Sequence, residues 1–126
     1  MPHSSSEAYI ATYKRIADDV INAILKGEYN AGEYLPSLNE VCDMYSVSRI
    51  TALNAYKELI AKNVIVSRHG IGFMVVPDVM AVLADDFRSS ILNSMSEAIK
   101  VSRWLGINLD DATKMFKELW RENTSA

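Results

Sequence analysis

The chain has 126 residues, 49% of them hydrophobic and 23% charged, enough to bury one modest core with an appended element but not two full domains. Thirteen basic against sixteen acidic residues leave a net charge of -3, which argues against the overall basic field that phosphate binders commonly carry. No apolar run approaches the roughly 20 residues of a membrane span, residues 1–6 lack the basic and apolar regions of a secretory signal, and the single cysteine, Cys42, can make neither an internal disulfide nor a thiol metal site; a cytoplasmic chain without membrane contact or cofactor is expected.

Tyr13, Ile16, Ala17, Val20, Ile21, Ile24 and Leu25 recur at spacings of three and four and predict a first helix, which Gly27 stops. His3 lies before it, in a start expected to be disordered, and receives no role. Glu28 to Tyr34, with Gly32 inside, has the composition of a turn and delivers the chain to Leu35 and Pro36.

Ser37-Leu38-Asn39-Glu40 has the spacing of a capping box, so a second helix starts at Leu38 and carries Leu38, Val41, Cys42 and Tyr45 as its apolar stripe. Ser46-Val47-Ser48 breaks the pattern after about two turns. Ser48 caps a third helix reaching about Lys62, with Ala52, Ala55, Tyr56, Leu59 and Ile60 on its buried face. Arg49, Ile50, Leu53, Asn54 and Lys57 lie toward the other side, where an Ile50 and a Leu53 are unexpected unless that face meets thymine methyls, sugars or another chain.

Val64-Ile65-Val66 is short and β-branched, and Gly72 to Val76 is its natural partner across Ser67 to Ile71, which predicts a two-stranded wing with Arg68, His69 and Gly70 in its loop. From Arg49 to Phe73 the four basic residues Arg49, Lys57, Lys62 and Arg68 face a single acid, Glu58, so this stretch is locally basic in an acidic chain. After Pro77, Val79, Val82, Leu83, Phe87, Ile91, Leu92, Met95 and Ile99 hold a long helical repeat to roughly Leu105. Gly106 ends it, Asn108 caps another helix, and Leu109, Ala112, Met115, Phe116, Leu119 and Trp120 form its stripe.

The expected fold is mainly α with a small β-wing: a winged helix-turn-helix over 9–76 and a C-terminal two-helix hairpin over 78–122. Two amphipathic helices without a large domain of their own leave apolar surface uncovered, which favours dimerisation through the hairpin. In a winged helix-turn-helix the third helix enters the DNA major groove. Arg49 opens that helix and can reach guanine O6 and N7 bidentately, or else contact phosphate. Ser37, Ser48 and Thr51 sit at helix starts, where hydroxyls and amides bind phosphate oxygens; for Ser37 and Ser48 capping alone is the other explanation. Asn54 is a candidate reader of adenine and Lys57 a candidate phosphate partner.

Leu35-Pro36-Ser37, Val47-Ser48-Arg49 with Thr51, Ala55 and Leu59, and Gly70-Ile71-Gly72 before a β-branched strand together resemble the signature of the GntR family of bacterial transcription regulators. Tyr13-Lys14-Arg15-Ile16-Ala17 opens the first helix in the same manner, and the resemblance covers about residues 9 to 76. The short helical tail is similar to that of the YtrA subfamily, which implies a homodimeric repressor of a transport-related operon acting on a palindromic double-stranded operator. The resemblance also places Asn39 where relatives can carry a base-directed polar residue, and likens His69 and Gly70, beside Arg68, to the wing pair that enters the minor groove. The chain departs from the pattern at Leu53, often arginine or another polar residue, at Asn63, commonly glycine, and at Ile71, where lysine stands between the wing glycines.

Two other readings have residues behind them. Net acidity together with Ile50, Leu53 and Ile71 suits a winged helix that associates with protein rather than DNA. Trp104, Phe116 and Trp120, with Met95 and Met115, either pack as core or line an apolar pocket for an unidentified small-molecule effector between subunits. Enzymatic activity is not expected: Asp85-Asp86 and Asp110-Asp111 are sequence neighbours that diverge on a helix, and no nucleophile with its base, metal cluster or phosphate loop is recognisable.

Overall fold

The computed structural model describes residues 2–124. Five helices and one hairpin follow in the order α1 (Pro2–Leu25), α2 (Leu38–Tyr45), α3 (Arg49–Ala61), β1 (Ile65–Arg68), β2 (Gly72–Val75), α4 (Val79–Trp104) and α5 (Leu109–Glu122). The chain divides after Asp85 into two compact units.

The first unit is a winged helix-turn-helix. Ile16, Ala17, Val20, Ile21 and Ile24 of α1 are buried with Leu38 and Val41 of α2, Ala52, Ala55, Tyr56 and Leu59 of α3, and Val64, Ile65 and Val75 around the wing. Cys42 is only half-buried and Ile60 is exposed, so both lie at the margin of the stripes that the sequence assigned to the core. α1 is longer than its apolar pattern suggested. Proline suits the first helical position, where its missing N–H has no partner to lose, and Tyr9 stacks edge-on against Tyr13 with ring centroids 5.6 Å apart. The start expected to be disordered is thus helical from Pro2.

The helix ends follow local chemistry. Ser37 Oγ accepts from Glu40 N while Glu40 Oε1 accepts from Ser37 N, both at 3.1 Å, completing the capping box of α2. Ser46 takes the left-handed conformation (φ 54°) and turns the chain within three residues to Ser48, the cap of α3. Asn63, at φ 62°, supplies the left-handed exit that glycine commonly provides: Val64 N donates to Leu59 O at 3.0 Å and Asn63 N to Ile60 O at 2.9 Å.

β1 and β2 pair antiparallel from Ile65 with Val75 to Arg68 with Gly72. The ladder therefore continues past Ser67, and the expected five-residue loop shrinks to a turn closed by Ile71 N donating to Arg68 O at 3.0 Å. The segment before α2, read as a connector, adds a third rung: Tyr34 bridges Met74, Leu35 N donates to Phe73 O and Val75 N donates to Glu33 O, each at 2.9 Å. α4 opens inside this unit, because Val79 and Leu83, four apart on one face, are buried in its core. The unit accordingly extends beyond the boundary placed at residue 76.

The second unit is a helical hairpin of the rest of α4 and α5. Gly106 (φ 73°) ends α4, and Asn108 Oδ1 accepts from Asp111 N at 2.9 Å to cap α5. None of residues 86–124 is buried within the single chain. Trp104, Leu109 and Trp120 are 71%, 80% and 64% exposed, and Ile91, Leu92, Ile99, Met115, Phe116 and Leu119 are exposed with them. No helix among the described residues is long and apolar enough to cross a membrane.

Candidate nucleic-acid interface

The candidate surface is assembled from the starts of α2 and α3, the outward side of α3, and the tip of the wing. Burial of Ala52, Ala55, Tyr56 and Leu59 fixes the roll of α3 and leaves Arg49, Ile50 and Lys57 exposed on its other side. Tyr56, fully buried, holds this frame together: its hydroxyl donates to Pro36 O at 2.6 Å, and its ring meets Phe73 of β2 edge-on at 4.8 Å. Burial raises its pKa, since the phenolate would lose its hydration. Tyr45 performs a parallel service between α2 and α1, donating to Asp19 Oδ2 at 2.9 Å; burial and then that bond push its pKa up to about 12.

Arg49 and Asn39 are brought together from two helices. Both side chains are exposed, and Arg49 Nη1 donates to Asn39 Oδ1 at 2.8 Å. Ser37 and Ser48 are exposed beside them, each occupied in capping its own helix. Thr51 is turned inward: it is 6% exposed, its N donates to Ser48 Oγ at 3.3 Å, and its hydroxyl lies 3.0 Å from the same oxygen. The structure thus makes Thr51 a buttress of the α3 start rather than part of the open surface. Asn54 is half-buried and its amide donates to the hydroxyl of Tyr9, so α1 already engages the group expected to read adenine.

Arg68, His69 and Gly70 are exposed at the wing tip, where Gly70 at φ 74° allows the tight reversal. Ile71 beside them is 72% exposed and Ile50 on α3 is also open, whereas Leu53 is half-buried. Of the apolar departures from the family pattern, Ile71 therefore lies open at the wing while Leu53 is partly covered, and Ile50 is open at the α3 start.

Two contributors escaped the sequence reading, both on α1. Tyr9 contacts Asn54, and Lys14 Nζ pairs with Glu58 Oε1 at 2.9 Å. Lys14 is raised in pKa by that hydrogen bond and by the charge of Glu58. Continuing the three-and-four spacing backward from Tyr13 lands on Tyr9, a signal available in the sequence. Nothing local, by contrast, foretells the Lys14 pairing across 44 residues. Its effect is electrostatic: Glu58, the one acid between Arg49 and Phe73, is neutralised by a partner from outside that stretch.

Residues 12–75 match the family of bacterial regulatory proteins named gntR. The chain belongs to the GntR family. Among its relatives, the probable fructoselysine utilization operon transcriptional repressor of Escherichia coli is 37% identical over 73 residues, covering 58% of this chain and 28% of that protein. The chain thus spans little more than a quarter of that relative's length. The transcriptional repressor YtrA of Bacillus subtilis is 24% identical over 107 residues, 85% of this chain and 82% of that one, so the likeness continues into the helical tail. Among solved structures, AraR(DBD) in complex with operator ORR3 superimposes with a TM-score of 0.50 at 25% identity, covering 52% of this chain and 78% of that one. The chain is in these respects a YtrA-like GntR regulator. Among the described residues, no group of three or more His, Cys, Asp or Glu side chains is placed to hold a metal.

Proposed function

We propose that this chain is a sequence-specific DNA-binding transcription regulator that acts as a homodimeric repressor. The observation that carries the reading is the exposed Arg49 at the start of α3, linked to the exposed Asn39, in a winged helix-turn-helix that also leaves Lys57 and Arg68 exposed. Each α3 enters a major groove and each wing tip, with His69 and Arg68, the adjoining minor groove. Ser37, Ser48 and Lys57 border phosphates, and Ile50 meets thymine methyls or sugars. The complex of AraR(DBD) with operator ORR3 supports DNA binding by this fold, and the likeness to repressors of E. coli and B. subtilis supports repression. A transport-related operon is what the YtrA-like resemblance implies.

The homodimer rests on the second unit. A hairpin in which none of residues 86–124 is buried leaves its apolar faces in water, and a second copy covers them by symmetry. Half-sites then lie about one helical turn, roughly 34 to 36 Å, apart on a palindromic operator. Between α4 and α5, Met95, Met115 and Phe116 wall a groove of about 690 Å³ that Trp104 and Trp120 do not line; an apolar effector would lodge there, read out as a thermal shift that Phe116→Ala abolishes.

Selection of binding sites from random DNA by the purified chain tests the function. Enrichment of an inverted repeat is expected, and Arg49→Ala is expected to lose about 1 to 3 kcal/mol with relaxed base preference. Enrichment of nothing would favour the rival reading, a winged helix that binds protein through Ile50 and Ile71.

A further inference from the structure

The hydrogen bond between Arg49 and Asn39 carries more than proximity. A guanidinium has five N–H donors and no acceptor, so the carboxamide atom facing Arg49 Nη1 at 2.8 Å has to be the oxygen. That fixes the flip of Asn39: its Oδ1 is engaged and its NH₂ points elsewhere. Asn54 offers no such certainty, because the tyrosine hydroxyl opposite it both donates and accepts. The usual asparagine reading of adenine needs a donor for N7 and an acceptor for N6. Asn39 has its acceptor committed, and what the pair turns outward is four remaining guanidinium N–H groups and two amide N–H groups, all donors.

We propose that Arg49 and Asn39 form one all-donor reading unit spanning the starts of α2 and α3. Asn39 positions the Arg49 guanidinium on guanine, and it uses its own NH₂ on the neighbouring base pair, selecting an acceptor edge such as guanine O6 and N7 or thymine O4 over the amino groups of adenine and cytosine. This rests on the DNA-binding reading above and goes beyond it by coupling two residues that would otherwise read independently. In the free protein both side chains are exposed, so water competes for the bond. In the groove water is displaced, the local dielectric falls, and the link gains strength as the surface docks.

The test is quantitative binding of the full chain to its selected operator and to single-base variants of it. It uses the wild type, Asn39→Ala, Asn39→Asp, Arg49→Ala and the Asn39→Ala/Arg49→Ala pair. The base pair at which Arg49→Ala abolishes preference marks the Arg49 step. Wild type should prefer guanine there by roughly 5- to 150-fold, the range of a bidentate contact. Asn39→Ala should lose most of that preference as well as its own, and adding it to Arg49→Ala should change nothing further at that step. Asn39→Asp still accepts from Nη1, so it should keep the guanine preference at the Arg49 step while losing the preference at the neighbour. Both positions are exposed and neither forms a cap, so far-UV spectra of all variants should coincide. Full guanine preference in Asn39→Ala, with effects that multiply in the double variant, would overturn the coupling and leave the DNA reading intact. A wild type that enriches no sequence would overturn both.

Discussion

Tyr56→Phe removes one oxygen from the best-buried aromatic of the first unit and exposes how the reading surface is held. The tyrosine is fully buried, its hydroxyl donates at 2.6 Å to Pro36 O, and its ring packs edge-on against Phe73. Phenylalanine keeps the ring contact, so the transfer free energy of the side chain is nearly unchanged and the loss is confined to the hydrogen bond. An acceptor left unsatisfied in a buried place costs about 1 to 3 kcal/mol. The bond is part-buried rather than fully buried, so the lower half of that range, about 1 to 2 kcal/mol, is expected. With a urea slope typical of small proteins this lowers the unfolding midpoint by roughly 0.5 to 1 M with little change in slope. Wild type and variant need equal protein concentrations, because the stability of the proposed dimer would depend on concentration. Operator preference should not move, since Tyr56 has no exposed atom. A midpoint within experimental error of wild type would refute the claim that this hydroxyl ties α3 to the segment before α2. A changed base preference would refute the separation of frame from reading surface.

Lys57→Ala should weaken binding to every DNA sequence about equally and reduce the slope of log affinity against log salt by roughly one, as expected for one phosphate contact; a salt titration of binding checks it. Phe116→Asp places a charge on the exposed apolar face of α5 and should leave the chain monomeric in sedimentation velocity where the wild type forms the proposed dimer, with loss of affinity for the proposed two-fold operator and persistence of a weaker half-site interaction. Alkaline stability follows from the tyrosines. Tyr56 and Tyr45 both have pKa values raised above the ordinary value of 10, so the folded chain holds protons that the unfolded chain releases. Their contribution to stability is therefore fully present below about pH 10 and is lost as pH rises toward the raised values. Urea midpoints measured from about pH 8 to 11 should fall at the alkaline end, and less steeply in Tyr56→Phe.

Much of the first unit was legible in the residues because its signals are local. The capping box at Ser37, the Ser48 cap and the β-branched runs about the wing glycines each act within a few positions of themselves; both caps stand where the residues placed them, and the hairpin forms with its first strand extended to Arg68. The stripes of α1 and α3 show which faces are buried, and so Arg49 and Lys57 fall outward. Thr51 and Asn54 show where this reasoning stops. A threonine at a helix start and an asparagine in mid-helix are equally suited to solvent, phosphate or base; packing leaves Thr51 only 6% exposed over its local contact with Ser48, and Tyr9, 45 residues away, engages Asn54.

What the sequence determined by itself is the set of elements, their caps and their buried faces, because helix periodicity and end chemistry are properties of adjacent residues. What the tertiary structure decided is which side chains meet across elements. It set Arg49 against Asn39, Lys14 against Glu58, Tyr34 beside the wing, and Val79 and Leu83 within the first core. Such contacts join residues 10 to 44 positions apart or more, a separation over which spacing carries no information and only the packing of one helix on another brings the groups within reach.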